Sequence, residues 1–416
     1  MNITEKSRRQ FLHYLAASPV AGAMAGIDFA SGATVISNPA DAIDIFDLKE
    51  TASNNIPPAH WGYLATGVND DSTLRANRTA FQKYYARSKR LVSIQNIDMS
   101  VEILGTRWPT PIILAPLGSQ NAFHSEGETG SARAAKSRNH LQVLSTVSST
   151  SVEEVSEARD APIWYQLYTM GGWDGIQSRL RRAEAAGCPV LVLLCDVPTF
   201  GYRPRDFRNG LALPPKMSAK NIMQILGKPL WAFNTLKYGQ PTFENLKPYT
   251  PEGLNLKQLG AFMDRTFSGK LNEEKIKPIR DRWKGKLVLK GVQSLQDTQD
   301  AIKMGFDGII VSNHGGRQLD AAQSTINSLK EIAATYGDEI EVMMDSGLRS
   351  GPDIARAMAC GAKFTFMGRS FMYGCGALGN KGGDHTIGML KTQFKQVMDQ
   401  LVCERVEDLP KHLITS

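Results

Sequence analysis

Short apolar runs alternate with amphipathic stretches from residue 111 almost to the end of the chain. The apolar runs are continuous, which is typical of strands buried on both faces of a parallel sheet. Eight of them can be counted, at residues 111–118, 141–146, 162–168, 189–197, 286–291, 308–312, 341–345 and 363–367. The amphipathic stretches predict helices at 126–139, 151–159, 173–187, 294–304, 325–336, 351–360 and near 386–401. Repeated strand–helix units of this number favour an α/β fold, a closed (β/α)8 TIM barrel.

Two segments fall outside this alternation. Residues 43–110 precede the first strand and are expected to form an N-terminal cap that carries Tyr63. Residues 204–285 form a long insertion after the fourth strand, and loops of that length are usually lids or binding segments. Within it, residues 222–237 mix Trp, Phe, Leu and Ile with lysines. That mixture fits either a small packed subdomain or a peripheral contact with a membrane surface.

The first 42 residues have the order of a secretory signal. Arg8 and Arg9 precede a weakly apolar stretch that runs to about Gly26, and Ala40-Asp41-Ala42 offers a small-residue cleavage site before Ile43. The Arg pair followed by Phe-Leu resembles the twin-arginine class, although a chance Arg pair on an ordinary N-terminal helix is an alternative. The apolar stretch is too short and too interrupted to span a membrane. We therefore expect residues 43–416 to be the mature domain, exported to the periplasm and working there or at the inner-membrane surface.

Charge and cysteine content narrow the functional classes. The chain has 416 residues, with 48 Lys+Arg against 41 Asp+Glu, a net charge of +7 that favours an anionic substrate or an acidic membrane surface. No dense basic tract is present, which argues against nucleic-acid binding. The five cysteines are odd in number and none has CxxC spacing, so we expect small buried side chains and no disulfide framework or metal site.

The strongest chemical signal follows the sixth strand, where the chain reads Ser312-Asn313-His314-Gly315-Gly316-Arg317-Gln318. In a barrel of this kind the chemistry lies at the carboxyl ends of the strands. A base and a guanidinium three residues apart can address one substrate, the base taking a proton while the guanidinium binds a carboxylate. A lone histidine is more often packed in a core, but here the companion Arg317 and the strand-end position favour catalysis.

This run resembles the signature of the FMN-dependent enzymes that oxidise 2-hydroxy acids. That family includes glycolate oxidase, lactate oxidase and monooxygenase, and the L-lactate and mandelate dehydrogenases. The resemblance covers about residues 43–413 and is more specific than a generic glycine pattern. It implies FMN as cofactor, a small 2-hydroxy acid as substrate, and a homotetramer.

The resemblance also implies catalytic roles. His314 would take a proton from the substrate, and Asp196 would orient the imidazole and stabilise its cation. Arg203 and Arg317 would bind the substrate carboxylate, with hydroxyls from Tyr63 and Tyr168. Arg205, two residues after Arg203, is either a second clamp or part of the scaffold.

For the flavin, the resemblance implies three groups of residues. The isoalloxazine edge would be lined by Pro116, Leu117 and Gly118, with hydrogen bonds from Ser145 and Gln166. Lys290 would lie by N1 and O2 with Ser312 nearby, where negative charge develops on reduction. The ribityl chain and phosphate would be held by Asp345, Gly347, Arg349, Gly368 and Arg369. Lys290 or Asp345 could instead be salt-bridged structural residues.

Three positions depart from many relatives. Leu194 stands where a threonine is common, and Val147 where glycolate oxidase has tryptophan, which leaves more room for a substrate side chain. Gly118 stands where oxidases tend to carry alanine. With the export signal and the insertion, this favours a dehydrogenase that passes electrons to a quinone or other carrier. The alternatives are an oxidase that forms hydrogen peroxide from O2, and a flavin-binding sensor without turnover.

Overall fold

The computed structural model describes residues 38–170, 172–199, 201–211, 218–238, 242–249, 258 and 271–415. The predicted signal peptide, residues 1–42, therefore lies outside the described residues except at its last positions. There Pro39–Asp41 forms a short 3-10 turn, and the carbonyl oxygen of buried Ala42 lies 2.8 Å from His385 Nε2. None of the described helices is long and apolar enough to cross a membrane.

The segment before the barrel folds into three helices and short strands. They are α1 (Ile45–Asn55), α2 (Pro58–Ala65), α3 (Ser72–Thr79), β1 (Tyr84–Ala86), β2 (Val101–Ile103) and β3 (Thr106–Trp108). Asp44 is the N-cap of α1, and its side chain accepts hydrogen bonds from the backbone N–H groups of Phe46 and Asp47. β2 pairs with β3, and β1 pairs with a C-terminal strand described below. The expected N-terminal cap is thus an ordered part of the fold.

Eight parallel strands form the barrel. They are β4 (Ile112–Leu114), β5 (Val143–Ser145), β6 (Trp164–Leu167), β7 (Val190–Leu194), β8 (Lys286–Val292), β9 (Gly308–Val311), β10 (Glu341–Met344) and β11 (Thr365–Met367). They are ordered β4-β11-β10-β9-β8-β7-β6-β5, and a parallel bridge between Leu114 and Gln142 joins the two ends. Every position of β5, β6, β7 and β9 is buried. The predicted (β/α)8 barrel is confirmed.

The helices after the cap surround this sheet and include those of the insertion. They are α4 (Gly127–Ser137), α5 (Val152–Arg159), α6 (Gly172–Ala185), α7 (Pro204–Asn209), α8 (Ala219–Leu226), α9 (Pro229–Tyr238), α10 (Glu273–Arg282), α11 (Leu295–Lys303), α12 (Thr325–Tyr336), α13 (Gly351–Ala359), α14 (Arg369–Leu378) and α15 (Gly382–Leu401). The chain then ends with β12 (Leu413–Thr415), which pairs with β1.

The sequence reading of the last unit was wrong in one respect. The sequence predicted that the eighth strand is followed directly by a helix near residue 386. In the structure α14 lies between them, and α15 begins at Gly382. α14 is buried at all positions but its last, so it shows no alternation of apolar and polar residues. A Cβ on Gly376 would lie 2.7 Å from Ile56 Cδ1, which shows how closely α14 packs beside α1.

The insertion after β7 contributes α7, α8, α9 and residues 242–249 to the described structure. α9 contacts α2 where the Trp231 and His60 rings lie 4.7 Å apart. Just before α9, the Lys228 ammonium donates to the carbonyl oxygen of Asn54 near the end of α1. α8 buries only Asn221 and α9 buries no side chain. These two described helices therefore do not form a core of their own.

Candidate active site

His314 and Asp196 meet at the carboxyl end of the barrel. Asp196 follows β7, His314 follows β9, and His314 Nδ1 lies 2.9 Å from Asp196 Oδ1. Burial alone would raise the pKa of Asp196, but the charges of Lys290 and His314 outweigh it and hold that pKa well below its usual range. Because the carboxylate is ionised, the proton between the two side chains belongs to Nδ1, and Nε2 carries the free lone pair.

The protonation state of His314 suits a base. Burial lowers its pKa from the usual value of 6.5, and the opposing effect of Asp196 does not fully offset this. The imidazole is therefore neutral at neutral pH. A neutral ring with a lone pair on Nε2 and a carboxylate behind Nδ1 can accept a proton and stabilise the resulting cation.

Lys290 links this pair to the loops after β9 and β10. Its side chain is buried in β8, and its ammonium lies 2.7 Å from Asp196 Oδ2 and 3.4 Å from Asp345 Oδ2. It also donates to Ser312 Oγ at 2.9 Å, and Ser312 Oγ accepts the backbone N–H of His314 at 3.0 Å. The ion pair that the sequence left open for Lys290 and Asp345 is present, and it lies in the same cluster as His314.

The backbone after β9 takes an unusual path that needs glycine. His314, Gly315 and Gly316 have φ angles of 56°, 67° and 73°, in the left-handed region that most residues avoid. A Cβ on Gly315 would lie 2.8 Å from Arg369 Nη1, and one on Gly316 would lie 2.7 Å from the backbone nitrogen of Leu74 in α3. The two glycines let the N-terminal segment and Arg369 pack against the loop that positions His314.

Two guanidinium groups converge on the ring of Tyr63 in α2. Arg203 Cζ lies 4.9 Å and Arg317 Cζ 4.7 Å from the ring centroid. Arg203 pairs with Asp206 at 2.9 Å, and Arg317 donates to the carbonyl oxygens of Tyr63 and Thr66. Burial lowers the pKa of Arg317, and the charge of Arg203 lowers it further. Two cations held around one ring, with Asp206 acting on both, leave positive charge that a further carboxylate would neutralise.

Tyr168 and Arg205 complete the polar side chains predicted for catalysis. Burial and the nearby charge of Asp196 raise the pKa of Tyr168, so its hydroxyl stays protonated and can donate a hydrogen bond. Arg205 is directed elsewhere, because its guanidinium pairs with Asp71 Oδ2 at 3.1 Å and is half exposed. Of the two alternatives for Arg205, the structure supports the scaffold. The six predicted catalytic side chains, by contrast, meet at one end of the barrel.

The residues predicted for the flavin ring line the same end. Pro116, Leu117 and Gly118 follow β4, while Ser145 and Gln166 are paired neighbours at the ends of β5 and β6. Leu194, in the position where a threonine is common, is paired with Lys290. A hydroxyl, an amide and an ammonium at one barrel mouth form a donor set suited to the polar edge of an isoalloxazine.

The loops after β10 and β11 provide the predicted phosphate end. A Cβ on Gly347, whose φ is 93°, would clash with the carbonyl oxygen of Asn77, and one on Gly368 would lie 3.0 Å from Leu117 Cδ2. α14 starts directly after Gly368, and its first N–H groups have no acceptor within the helix, which is the usual anion site of such barrels. Buried Arg349 adds a cation. Together with the ring-side donors, these groups fit FMN.

The Arg369 side chain, predicted to bind the phosphate, is bound instead to backbone carbonyl oxygens. Its guanidinium donates to the carbonyl oxygens of Leu64, Gly315 and Thr66, each at 2.9 Å. Burial lowers its pKa to about 9. The side chain thus fastens the end of α2 to the His314 loop, and its backbone N–H, at the start of α14, is the group directed to the phosphate end.

Several supporting side chains were not singled out from the sequence. The buried amides of Asn77 and Asn313 bond to each other at 2.7 and 2.8 Å, and Arg78 donates to the carbonyl oxygen of Gly347. Asp206 could have been found, since it follows Arg203 by three residues in the same motif. Asn77 and Arg78 carry no such signal, because their partners lie more than 200 residues away in the chain.

Comparison with known proteins is consistent with this site. A family model described as FMN-dependent dehydrogenase matches residues 52–416. The chain is 34% identical over 370 residues to L-lactate dehydrogenase of Haemophilus influenzae, covering 88% of this chain and 97% of that protein. L-lactate dehydrogenase of Pseudomonas syringae pv. syringae is 33% identical over 369 residues, with the same coverage.

Solved structures that resemble this chain are also dehydrogenases or oxidases of a 2-hydroxy acid by name. The monotopic membrane protein (S)-mandelate dehydrogenase superposes with a TM-score of 0.86 at 33% identity, covering 90% of this chain and all of that one. A mandelate oxidase superposes with a TM-score of 0.77 at 31% identity, covering 90% and 98%. With the family model matching most of the chain, the protein belongs to the FMN-dependent dehydrogenase family.

Proposed function

We propose that this enzyme oxidises an L-2-hydroxy acid to the 2-oxo acid and passes the electrons through FMN to a quinone or another carrier. The observation that carries the proposal is the meeting of a neutral, carboxylate-backed His314 with two guanidinium groups gathered on Tyr63. A base next to an anion site fits a substrate that has both a carboxylate and a carbon or hydroxyl to deprotonate. The names of the L-lactate and mandelate relatives support the same substrate class.

In this proposal each side chain has a task. Arg203 and Arg317 bind the substrate carboxylate, and the protonated hydroxyl of Tyr168 donates to the 2-oxygen. Oxidation removes two protons and two electrons from the substrate, and His314 Nε2 accepts one of these protons while Asp196 stabilises the imidazolium. FMN, when bound, would supply the redox chemistry, taking up the two electrons together with the second proton. Lys290 supplies positive charge beside the residues predicted for the flavin ring.

Arg203→Ala should weaken binding of the substrate carboxylate far more than Arg205→Ala does. Arg203 and Arg317 lie over the Tyr63 ring and share the single carboxylate of Asp206, which leaves one positive charge for an anion. Arg205 is paired with Asp71 outside this group. Loss of a charge-assisted hydrogen bond of about 1.5–3 kcal/mol corresponds to roughly 10- to 150-fold in affinity. Titration of a 2-oxo acid into the oxidised enzyme, followed by flavin absorbance, measures this. Equal effects of the two substitutions would show that the clamp is wrongly assigned.

The choice of dehydrogenase over oxidase rests on Gly118. A Cβ at that position would lie 2.7 Å from Val147 Cγ2 and 2.9 Å from the Val147 carbonyl oxygen, so an alanine would shift the loop after β5. The solved relatives include both a mandelate dehydrogenase and a mandelate oxidase, so the fold alone does not decide between the two activities.

Substrate-reduced enzyme should react slowly with O2 and quickly with a quinone analogue. Anaerobic reduction followed by mixing with each acceptor, with flavin reoxidation as the signal, gives the two rates. Peroxide formation at the full turnover rate with no added acceptor would move this chain to the oxidase branch.

The outer faces of α8 and α9 form an exposed apolar surface, here called the α8–α9 surface. It consists of Ile222, Met223, Leu226, Leu230, Phe233 and Leu236, which are 51–85% exposed. Apolar patches of this kind mark interaction sites, and the lysines at 220, 228 and 237 suit anionic headgroups. Two solved relatives are described as monotopic or membrane-associated mandelate dehydrogenases. We propose that this surface inserts shallowly into a bilayer and brings the enzyme to its acceptor.

The combined substitution Leu226→Asp, Leu230→Asp and Leu236→Asp should abolish co-sedimentation with vesicles that contain anionic phospholipid. Flavin reduction by substrate should be retained, because these side chains point to solvent. Leu91→Asp with Val92→Asp changes two exposed apolar residues elsewhere and serves as the control. Wild-type protein that never sediments with vesicles would contradict membrane docking.

Two further expectations belong to this proposal. Export to the periplasm by the twin-arginine route predicts that Arg8→Lys with Arg9→Lys leaves active enzyme in the cytoplasm, and unchanged fractionation would count against it. Assembly as a homotetramer, implied by the family resemblance, is tested by light scattering, where a monomeric mass would refute it.

A further inference from the structure

Glu128 is a fully buried carboxyl group in the first turn of α4. It belongs neither to the substrate-binding residues nor to the residues predicted for the flavin. Burying such a group costs free energy unless its oxygen atoms are hydrogen-bonded, so the groups that it binds indicate what it does for the protein.

The partners of Glu128 come from two different strand-end loops. Its Oε1 accepts the backbone N–H of Gln120 at 3.1 Å and that of Ser149 at 3.0 Å, while Oε2 is hydrogen-bonded to Thr150 Oγ1 at 3.0 Å. Gln120 follows β4, and Ser149 and Thr150 follow β5. One carboxyl oxygen therefore ties the loop after β4 to the loop after β5, and α4 to both.

The same two loops meet again at the predicted flavin edge. The Ser119 N–H donates to the carbonyl oxygen of Val147 at 3.0 Å, and a Cβ on Gly118 would lie 2.7 Å from Val147 Cγ2. Gly118 and Val147 each lie two residues before a backbone N–H that Glu128 binds. The bonds to Glu128 therefore set the spacing of the two loops where the isoalloxazine edge is expected.

The groups proposed to act on the substrate are held by other elements. Tyr63 lies in α2, Arg203 precedes α7, and His314 and Arg317 follow β9. None of these is among the groups that the Glu128 carboxyl oxygens bind. Loss of the Glu128 bonds should therefore shift the flavin edge and leave the substrate-binding groups in place.

We propose that Glu128 is a positioning residue, which fixes the loops after β4 and β5 so that the flavin edge is held in register with the substrate on Arg203 and Arg317. It acts through the backbone of Gln120 and Ser149 and does not itself touch the reacting atoms. The kinetic part of its test rests on the proposed function, whereas the spectrum of the bound flavin does not.

Glu128→Leu removes both carboxyl oxygens and leaves the N–H groups of Gln120 and Ser149 without this acceptor. The limiting rate of anaerobic flavin reduction at saturating L-2-hydroxy acid should fall by about tenfold or more, since a displacement of about 1 Å can cost roughly 100-fold. The Kd of a 2-oxo acid should stay as in the wild type. The visible absorbance band of the oxidised flavin should shift, because the contacts of its edge change.

Two further variants separate positioning from a loss of folding. Glu128→Gln keeps an oxygen for the two backbone N–H groups, and burial raises the pKa of Glu128 towards the neutral acid that glutamine resembles. It should therefore retain most of the rate and the wild-type spectrum. Glu128→Asp shortens the side chain by one methylene group and should lie between wild type and Glu128→Leu, which keeps the comparison readable if the leucine variant does not fold.

His140→Leu is the matched control at the opposite end of the barrel. His140 is buried before β5, and its ring nitrogens lie 2.7 Å from Thr110 Oγ1 before β4 and 2.6 Å from the carbonyl oxygen of Arg138. The control loses buried hydrogen bonds between the same two strands at their amino ends, so it should leave the limiting rate and the flavin spectrum unchanged.

A wild-type limiting rate and spectrum in Glu128→Leu would overturn the positioning role. So would an equal loss in His140→Leu, or a Glu128→Gln variant as slow as Glu128→Leu. If no L acid reduced the wild-type flavin, the proposed function itself would fail. The absorbance spectra of the variants would still test Glu128 in that case, so the two failures are distinguishable.

Discussion

His314→Ala is expected to slow flavin reduction by roughly 10²- to 10⁴-fold, the usual contribution of a positioned base. FMN should stay bound, because all residues predicted for the flavin except Ser312 lie on other strands and loops, and Ser312 itself is unchanged. A 2-oxo acid should still perturb the flavin spectrum, since the arginines around Tyr63 are intact. His385→Ala, at a histidine that contacts the Ala42 carbonyl outside the site, is the control.

The pH profile gives the same experiment a second readout. The pKa of His314 is lowered from 6.5, so the ring loses its proton below that value as the pH rises. In the wild type, kcat/KM should therefore increase with pH with an apparent pKa below 6.5 and be level through neutral pH. The increase should be absent from the residual activity of His314→Ala. A variant with a near-normal rate and the same profile would contradict the assignment of the base.

Lys290→Met is expected to destabilise the protein by about 3–5 kcal/mol, because it leaves the carboxylates of Asp196 and Asp345 without their shared cation. Lys286→Met on the same strand is a matched control, since Lys286 pairs with Asp307 at the surface with 52% of its side chain exposed. Such exposed pairs contribute about 0–1 kcal/mol. Urea unfolding of both variants at saturating FMN measures the difference.

The pH dependence of that stabilisation follows from Asp196. Its pKa is lowered in the folded state, so the contribution is present above the pKa of the unfolded carboxyl and is lost as the pH falls through the folded-state value. The difference in free energy of unfolding between wild type and Lys290→Met should thus be largest at neutral pH and should disappear in strong acid. Equal stability of Lys290→Met and Lys286→Met would show that the buried cluster contributes little.

The barrel could be read from the sequence because its strands are continuously apolar and short. Seven of the eight predicted runs contain the observed strand, for example β7 inside residues 189–197, and β8 extends one residue beyond its run at 286–291. α14 was not predicted, because it is buried on nearly all sides and so lacks the amphipathic pattern by which helices are recognised. The sequence alone could not decide what residues 222–237 of the insertion do, because a mixture of apolar residues and lysines fits a packed subdomain and a membrane-docking surface equally well.

The site could be predicted where its residues share a motif or follow a strand. His314 and Arg317 lie on one loop, and Asp196 follows β7, the strand that pairs with the strand of Lys290. Contacts set by distant segments could not be predicted, such as the approach of Arg203 and Arg317 to the Tyr63 ring or the pairing of Arg205 with Asp71. The commitment of Arg369 to three carbonyl oxygens likewise depends on where α2 packs.

The central claim is that an L-2-hydroxy acid reduces the bound FMN in this site. Rapid anaerobic mixing of the purified holoenzyme with the L and D enantiomers of lactate and mandelate tests it most directly. The account predicts that the L acids bleach the oxidised flavin and yield one 2-oxo acid per FMN, while the D acids leave the flavin oxidised. A flavin that stays oxidised with every L acid would contradict the account and favour a protein that binds FMN without turnover.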